Sequence, residues 1–370
     1  MKKKILILGV ASVQDDAIQK LHNLGYETYA CAMADDGPGS KEADHFEIIN
    51  ILDIEKIIQY INENKINCVY SVGSDLAIPV SSKISENIGL PYFVSYHTAE
   101  TCNNKDKMRQ ALGKDFEGNL NYQILEKDND LIVLKEPFII KPTDAQGQRG
   151  VNLITTNEDR EREHSIKNAR NYSRSGRIIA EQYIDGPEIS VNGYLINGEV
   201  VMMIISDRET WPQYTGLIHK HVVPSKIVDQ NMENKIYQIV KKACHKLEIK
   251  NGPVYLQMKI KKRPYIIEIT PRLDGCHMWK LLKYYTGVDI LKLTLQHLIE
   301  QNTSEIKNAK KELKEKYTLE FICQKPNSEA DYSQYKITAS NVLEDYHYYD
   351  QGEFVRPVNG KYDKIGYFIY

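Results

Sequence analysis

Among the 370 residues the six cysteines stand far apart, and no two form a CxxC pair. That spacing disfavours a cysteine-based zinc site and fits reduced thiols, so a cytoplasmic protein is expected. Long apolar runs are missing too. The longest, VVMMII at 200–205, is far too short to cross a bilayer, so no membrane role is expected. Charge is not one-sided: 48 basic against 50 acidic residues leave a net charge of −2, which argues against a general nucleic-acid binder. The start, MKKKILILGVASV, has the basic head and short apolar run of a leader but lacks a small-residue cleavage site. With helix-patterned QDDAIQKLHNLG behind it, it is taken as the first buried strand. The turn GVASVQDD also lacks the second and third glycines of a dinucleotide fingerprint, which disfavours a nicotinamide site.

What is present is ordinary in bulk, 42% hydrophobic and 26% charged. A chain of this length exceeds one simple core, so several sub-domains are expected. Over the first hundred residues ILILGV, YETYACAM and NCVYSVG read as strands. DDAIQKLHN, IEKIIQYINENK and IPVSSKISENI read as helices, the first closed by Gly25. This alternation predicts a parallel sheet covered on both faces. Behind CVYSVG, Ser74 reads as a helix N-cap, and Ser74 and Asp75 are also candidates for a cleft wall.

From about residue 100 the pattern becomes α+β with antiparallel sheets. Helix KDKMRQALGK precedes strands expected near 131–134, 138–141, 151–154, 178–182, 189–196 and 199–205, and Asn-Gly-Glu at 197–199 predicts a hairpin. A helix over about 230–247 follows, then strands VYLQMKI and YIIEIT, then helices MWKLLKYYTG and VDILKLTLQHLIEQ. NTSEIKNAKKELKEK reads as a solvated connector. YTLEFICQ, FVRPV and KIGYFIY read as strands of a small β-rich closing unit, whose clustered tyrosines are taken as packing. The expected division is 1–98, 99–185, 186–305 and 306–370.

Chemistry gathers where strands end. FIIKPTDAQGQRG, residues 138–150, puts Lys141 at the end of an apolar strand and follows it with a loose polar loop holding Gly147 and Gly150. Polar loops between strands are common; a lid over a polyphosphate is the sharper reading. Glu181 closes RIIAE, Glu188 follows a Gly-Pro turn, and Gln257 sits within VYLQMKI. Glu268 stands inside apolar IIEI, where an unpaired charge is costly, so it wants a metal ion or Arg272. Thr270 shares its face by the strand period of two. Mg²⁺ is normally held by few protein oxygens plus substrate phosphates. Lysines, a glycine loop and an oxygen-ligand metal site together describe a nucleoside-triphosphate site.

Four stretches, NKDKMRQAL, FIIKPTDAQGQRGV, IIAEQYIDGPEISVNGYLINGEV and GPVYLQMKIKKRPYIIEITPRLDGCHM, in this order and at these intervals, resemble the ATP-grasp enzymes. The resemblance runs from Lys105 to Arg272 and more loosely from residue 1 to about 300. Its start resembles the pre-ATP-grasp domain of carboxylate–amine ligases. It implies a Rossmann-like domain over 1–98, a two-part ATP-grasp fold with its lid half at 99–185 and its metal half at 186–305, and the closing unit at 306–370.

Roles follow from the resemblance. Lys105 and Lys141 are similar to the lysines on the ATP phosphates, and DAQGQRG, with Gly147 and Gly150, to the lid; Arg149 there is either a ligand or a solvated loop charge. Glu181 is similar to the acceptor of the adenine amino group, Gln182, Tyr183 and Ile184 to the linker that hydrogen-bonds the base, and Glu188 to the acid on the ribose. Gln257, Glu268 and Thr270 fall on the metal positions, and Arg272 on the arginine that faces the transferred phosphate. Gln257 stands where most members carry Glu, as in carbamoyl-phosphate synthase large chains, and Thr270 where Asn is usual. That neutral pair weakens the case for two metals and leaves Glu268 as the principal ligand. Lys220, between His219 and His221, and His277, soon after Arg272, are carried as substrate-facing candidates.

The implied activity uses ATP and Mg²⁺ (or Mn²⁺) to activate a small carboxylate as an acyl phosphate, which an amine captures with release of ADP and phosphate. The rival readings are bicarbonate or a thiol in place of one partner, and a nucleotide-binding regulatory protein without ligase activity. Partners are expected to be the small-molecule carboxylate and amine, with a homodimer left open.

Overall fold

The computed structural model describes residues 2–128, 130–156, 158–309, 315–335, 339 and 341–370. It begins with β1 (Lys4–Leu8), α1 (Ser12–Asn23), β2 (Glu27–Ala32), α2 (Pro38–Glu42), β3 (His45–Ile48), α3 (Ile54–Asn64), β4 (Cys68–Tyr70) and α4 (Ala77–Ile88). The strands form a parallel sheet in the order β3-β2-β1-β4. Ile5 and Ile7 face one core and Leu6 and Leu8 the other, so β1 is buried on both sides, as its unbroken apolar run requires. Lys4–Leu8 is thus an inner strand of this sheet.

Helices α5 (Tyr96–Asn103) and α6 (Lys105–Leu112) lead into β5 (Tyr122–Leu125), β6 (Phe138–Pro142), β7 (Asn152–Ile154), α7 (Asp159–Tyr172) and β8 (Ile178–Gln182). These strands make an antiparallel sheet, β5-β8-β6-β7. The strand expected near 131–134 is not there, and the sheet takes 122–125 instead. Residues 131–134 alternate, with Leu131 and Val133 79% and 72% exposed, but a side chain anchors them. Gln123 donates to the Leu131 carbonyl at 2.7 Å and accepts from the Val133 N–H at 3.0 Å.

The third sheet is the largest. It holds β9 (Glu188–Ile196), β10 (Glu199–Trp211), β11 (Tyr214–Val223), then after α8 (Gln230–Lys246) the pair β12 (Gly252–Ile260) and β13 (Pro264–Thr270). After α9 (Met278–Thr286), α10 (Ile290–Glu300) and α11 (Ser304–Asn308) come β14 (Tyr317–Gln324), β15 (Glu344–His347) and β16 (Asp363–Ile369). The order is β13-β12-β9-β10-β11-β14-β16-β15, all antiparallel. Asn197 (φ 52°) and Gly198 (φ 83°) make the tight turn between β9 and β10, as the Asn-Gly pair predicted.

The C-terminal strands therefore continue this sheet from β11, with a small core of their own around Ile322, Val355 and Ile365. FVRPV is not a strand. Phe354 makes only an isolated bridge to Glu329, and Pro357 carries no N–H for a ladder. The connector reading of 302–316 falls partly on 310–314, outside the described residues. Among the described residues no helix is long and apolar enough to cross a membrane.

Candidate active site

A cavity of about 440 Å³ opens between the β5–β8 sheet and one face of the largest sheet. Lys105, Lys141, Gly147, Glu181, Gln182, Tyr183, Ile184, Glu188, Gln257 and Glu268 all line it. Residues spread over more than 160 positions are thereby brought to one place.

On the wall formed by the smaller antiparallel sheet, buried Lys141 holds its Nζ 2.6 Å from Glu181 Oε2. The other Glu181 oxygen accepts from Arg109 Nε at 2.9 Å. Arg109 is wholly buried on α6, four residues after Lys105, and its remaining donors reach Asn119 Oδ1 and the carbonyls of Ile266 and Ile267 at 2.8–3.1 Å. One guanidinium thus ties α6, β8 and β13 together. Burial pushes the Glu181 pKa up, but Arg109 and Lys141 outweigh it and hold the carboxyl at about 2. Burial also lowers the Lys141 pKa, against the pull of Glu181.

The opposite wall comes from the pairing of β12 with β9 and β13. Register sets Gln257 across from both Ser190 and Glu268, and Lys259 across from Glu188. Glu188 Oε2 accepts from Arg208 at 2.5 Å and from Gln257 Nε2 at 2.8 Å, and Lys259 Nζ lies 3.6 Å from Glu188 Oε1. Glu268 lies 3.5 Å from Lys105 Nζ, which also donates to the Ala145 carbonyl at 3.2 Å. Burial raises the Glu268 pKa, but Lys105, Arg272 and Lys141 outweigh it, so the carboxylate stays ionised. Gln257 gives its amide N–H₂ to Glu188 and stands across from Glu268 in the β12–β13 register. A carboxylate beside a free carboxamide oxygen suits a hard cation that keeps waters and phosphate ligands, so this pair fits Mg²⁺. Thr270 is set apart from the pair. Its hydroxyl is buried without a hydrogen-bond partner, and it does not line the cavity.

Like Thr270, the candidates Arg272, Lys220 and His277 sit outside the cavity wall. Arg272 is buried, with Nε 2.5 Å from Asp75 Oδ1 and its plane over the Tyr255 ring. Asp75 does line the cavity, so its cleft-wall reading holds, while Ser74 accepts from the Ala77 N–H at 3.3 Å as a capping residue does. Lys220 lies on the far face of β11, 3.4 Å from Glu209, because its neighbour His221 takes the inner face opposite Arg208. His277 is buried beside Ser12 and Asp16.

The inner face also carries polar groups without partners. Asn192 Nδ2, Ser206 Oγ, His221 Nδ1 and Thr270 Oγ1 are buried without a hydrogen-bond partner among the described residues, and His221 Nε2 lies 3.8 Å from Asp274 Oδ2, beyond hydrogen-bond reach. Burial, with Arg208 and Lys364 nearby, keeps His221 neutral. His221, Asp274 and Cys276 could together face a metal ion by distance. Lys364 Nζ, 3.4 Å from Cys276 Sγ, already supplies a cation there. A polar organic ligand suits this surface better.

In the lid, Gly147, Gln148 and Gly150 all have positive φ, of 67°, 63° and 69°. Around Gly147 there is open space, whereas a Cβ on Gly150 would meet Pro142 at 2.9 Å and Tyr172 at 3.0 Å. Gly150 is thus required by close packing, and Gly147 by its backbone conformation alone. Arg149 turns back to the Gln146 carbonyl at 3.1 Å. In the linker, Tyr183 N–H donates to the Pro137 carbonyl at 3.3 Å, while among the described residues no backbone carbonyl accepts from Ile184 N–H.

Arg109, Arg208, Lys259 and Lys361 were missed by sequence reasoning. Lys259 had a signal, two positions from Gln257 on one strand face. Arg109 had a weaker one, a helical turn from Lys105. Arg208 and Lys361, the latter reaching the cavity from the turn before β16, had none.

Residues 134–279 match the family model for the ATP-grasp domain. Alanine–anticapsin ligase of Bacillus subtilis (strain 168) is 28% identical over 254 residues, 62% of this chain and 53% of that enzyme. The chain thus spans about half the length of the curated relatives it matches. The crystal structure of L-amino acid ligase from Bacillus licheniformis superposes with a TM-score of 0.83 at 19% identity, covering all of this chain and 93% of that one. The biotin carboxylase domain dimer of Hydrogenobacter thermophilus 2-oxoglutarate carboxylase, solved with MgADP and bicarbonate, gives a TM-score of 0.80 at 16% identity, covering all of this chain and 86% of that one.

Proposed function

We propose that this chain, which carries an ATP-grasp domain across residues 134–279, is an ADP-forming ligase that joins a small carboxylic acid to an amine. The observation that carries the reading is the meeting, in one cavity, of Lys105 and Lys141 with Glu268 and the carboxamide of Gln257. Cations for phosphates stand beside oxygen donors for a metal.

Lys105 and Lys141 bind the ATP phosphates, and Arg109 and Glu181 hold Lys141 in place. Gln182, Tyr183 and Ile184 receive the base and Glu188 the ribose. Glu268 and Gln257 would hold Mg²⁺, which when bound neutralises charge on the phosphates. Arg272, behind the cavity wall with Asp75, adds positive charge to the place where the phosphoryl group moves to the acid's carboxylate oxygen. The lid around Gly147 closes and excludes water that would hydrolyse the acyl phosphate. The amine then attacks, and the unpartnered groups of the inner face support a polar acid and amine beside Arg272. The parallel sheet supports a functional unit at 1–98 and the β5–β8 sheet one at 99–185, while the largest sheet runs through both 186–305 and 306–370. A small-molecule enzyme of the cytoplasm, acting alone or as a homodimer, is consistent with this site.

The test is ADP release from ATP and Mg²⁺ against a panel of acids and amines, amino acids first. Release that needs both partners supports the ligase. Release with bicarbonate, or with a thiol acceptor, would redirect the chemistry, and nucleotide binding without release under any pairing would leave a regulatory protein.

A further inference from the structure

We propose that Ser12, His277 and Asp16 form a proton relay that deprotonates the amine substrate; this rests on the ligase reading. Ser12 opens α1, and its Oγ lies 3.3 Å from His277 Nε2. On the ring's other side Nδ1 lies 2.7 Å from Asp16 Oδ2. Asp16 also accepts from Trp279 Nε1 at 3.0 Å and sits 3.2 Å from Lys280 Nζ. Burial raises the Asp16 pKa, but His277 and Lys280 outweigh it and keep it ionised. An anion at Nδ1 places the ring proton there and leaves the Nε2 lone pair facing the serine hydroxyl.

Location supports a substrate role. His277 stands five residues beyond Arg272, and Ser12 lies in the turn after β1. Close by in sequence, Gly275 packs on Gly73, for a Cβ on Gly275 would fall 2.7 Å from the Gly73 carbonyl oxygen. Two residues on, Asp75 binds Arg272 and lines the nucleotide cavity. The relay therefore stands at the C-terminal ends of the parallel strands, where open α/β sheets take ligands. His277 has a left-handed backbone (φ 54°), a conformation that a non-glycine residue adopts only at a cost. Tyr367 and Tyr348 stack on its ring at 4.7 and 6.0 Å and hold it so. The charged and titratable groups facing it are Asp16, Lys280, Lys364, Tyr346, Tyr348 and Tyr367.

Ser12 is half-exposed and touches the amine; His277 is buried and acts through it. An ammonium R–NH₃⁺ gives one proton through Ser12 Oγ to His277 Nε2 and on to solvent. As the C–N bond forms and the C–O bond to phosphate breaks, a second proton leaves with the phosphate as HPO₄²⁻, and the amide keeps the third.

Hydroxylamine, uncharged at neutral pH, captures acyl phosphates without this help. The full chain is given ATP, Mg²⁺ and the twenty standard amino acids, with and without hydroxylamine. In Ser12→Ala and His277→Gln, dipeptide formation should fall on the order of 10²-fold and recover as pH rises, while hydroxamate stays within about twofold. Ser12→Ala leaves the buried His277–Asp16 contact intact and decides the matter where His277→Gln fails to fold. Equal loss of both products, or of neither, overturns the relay. Wild-type protein that forms no hydroxamate with the amino acids or with any acid of the wider panel overturns the ligase reading and the relay with it.

Discussion

Glu181 shows how much one carboxylate can carry at the residue scale. Its folded pKa of about 2 lies below the usual 4.5, so its stabilisation is fully present above pH 4.5 and is lost as pH falls toward 2. A shift of this size corresponds to about 3 kcal/mol. Urea midpoints measured down that range should fall more steeply in wild type than in Glu181→Gln; parallel slopes would remove the carboxylate from the stability of this wall. Lys141→Met should weaken ATP by about 2 kcal/mol, roughly thirtyfold, and adenosine far less. Equal losses in calorimetry would place Lys141 away from the phosphates. Glu268→Gln should cut turnover on the order of 10²-fold or more without unfolding the chain, and a mutant with unaltered Mg²⁺ dependence would remove Glu268 from the metal. Lys141, Gln257 and Glu268 were legible in the sequence because each stands within or at the end of an apolar strand, whereas Lys105 and the role of Glu188 came from the resemblance to ATP-grasp enzymes. Arg109 was not, since a buried arginine in a polar helix looks like a solvated one until Glu181 is seen beside it.

Elements were legible where period and turn chemistry agreed. The β9–β10 hairpin announced itself through Asn197-Gly198, and β1 through its unbroken apolar run. Residues 131–134 misled because alternation says which side is apolar and not whether a neighbouring strand offers a ladder; there Gln123 takes that place. α7 was hard to see because its buried face is narrow, chiefly Ile166 and Ala169. On the proposed function, turnover depends on the loop over residues 143–150. Its backbone around Gly147 is left-handed in open space, so hydrogen exchange over residues 143–150 should slow clearly when an ATP analogue and Mg²⁺ are added, with Phe138–Lys141 hardly changed. Gly147→Val should slow catalysis with little change in Tm. A branched residue strains the left-handed turn on which closure depends and leaves the core alone. Unchanged exchange would make the stretch an ordinary loop.

At the scale of the whole molecule, three sheets meet around one cavity, and side chains distant in sequence hold them together. Arg109 links β8 to β13, Asp75 links the parallel domain to Arg272, and Tyr367 of β16 covers His277. The sequence suggested a separate closing unit at the C-terminus; strand pairing, which composition does not reveal, joins it to β11. Removing residues 306–370 should expose the β11 edge and leave a chain that aggregates and does not melt cooperatively. A soluble truncated form with full ATP affinity would show that these strands are dispensable. The most direct test of ligation through an acyl phosphate follows oxygen. Amino acids labelled with ¹⁸O in the carboxylate are incubated with the full chain, ATP and Mg²⁺, and the products are read by mass spectrometry. An acyl phosphate predicts ADP together with phosphate carrying one ¹⁸O per amide formed. Amide formed with AMP and pyrophosphate, or with unlabelled phosphate, would contradict it.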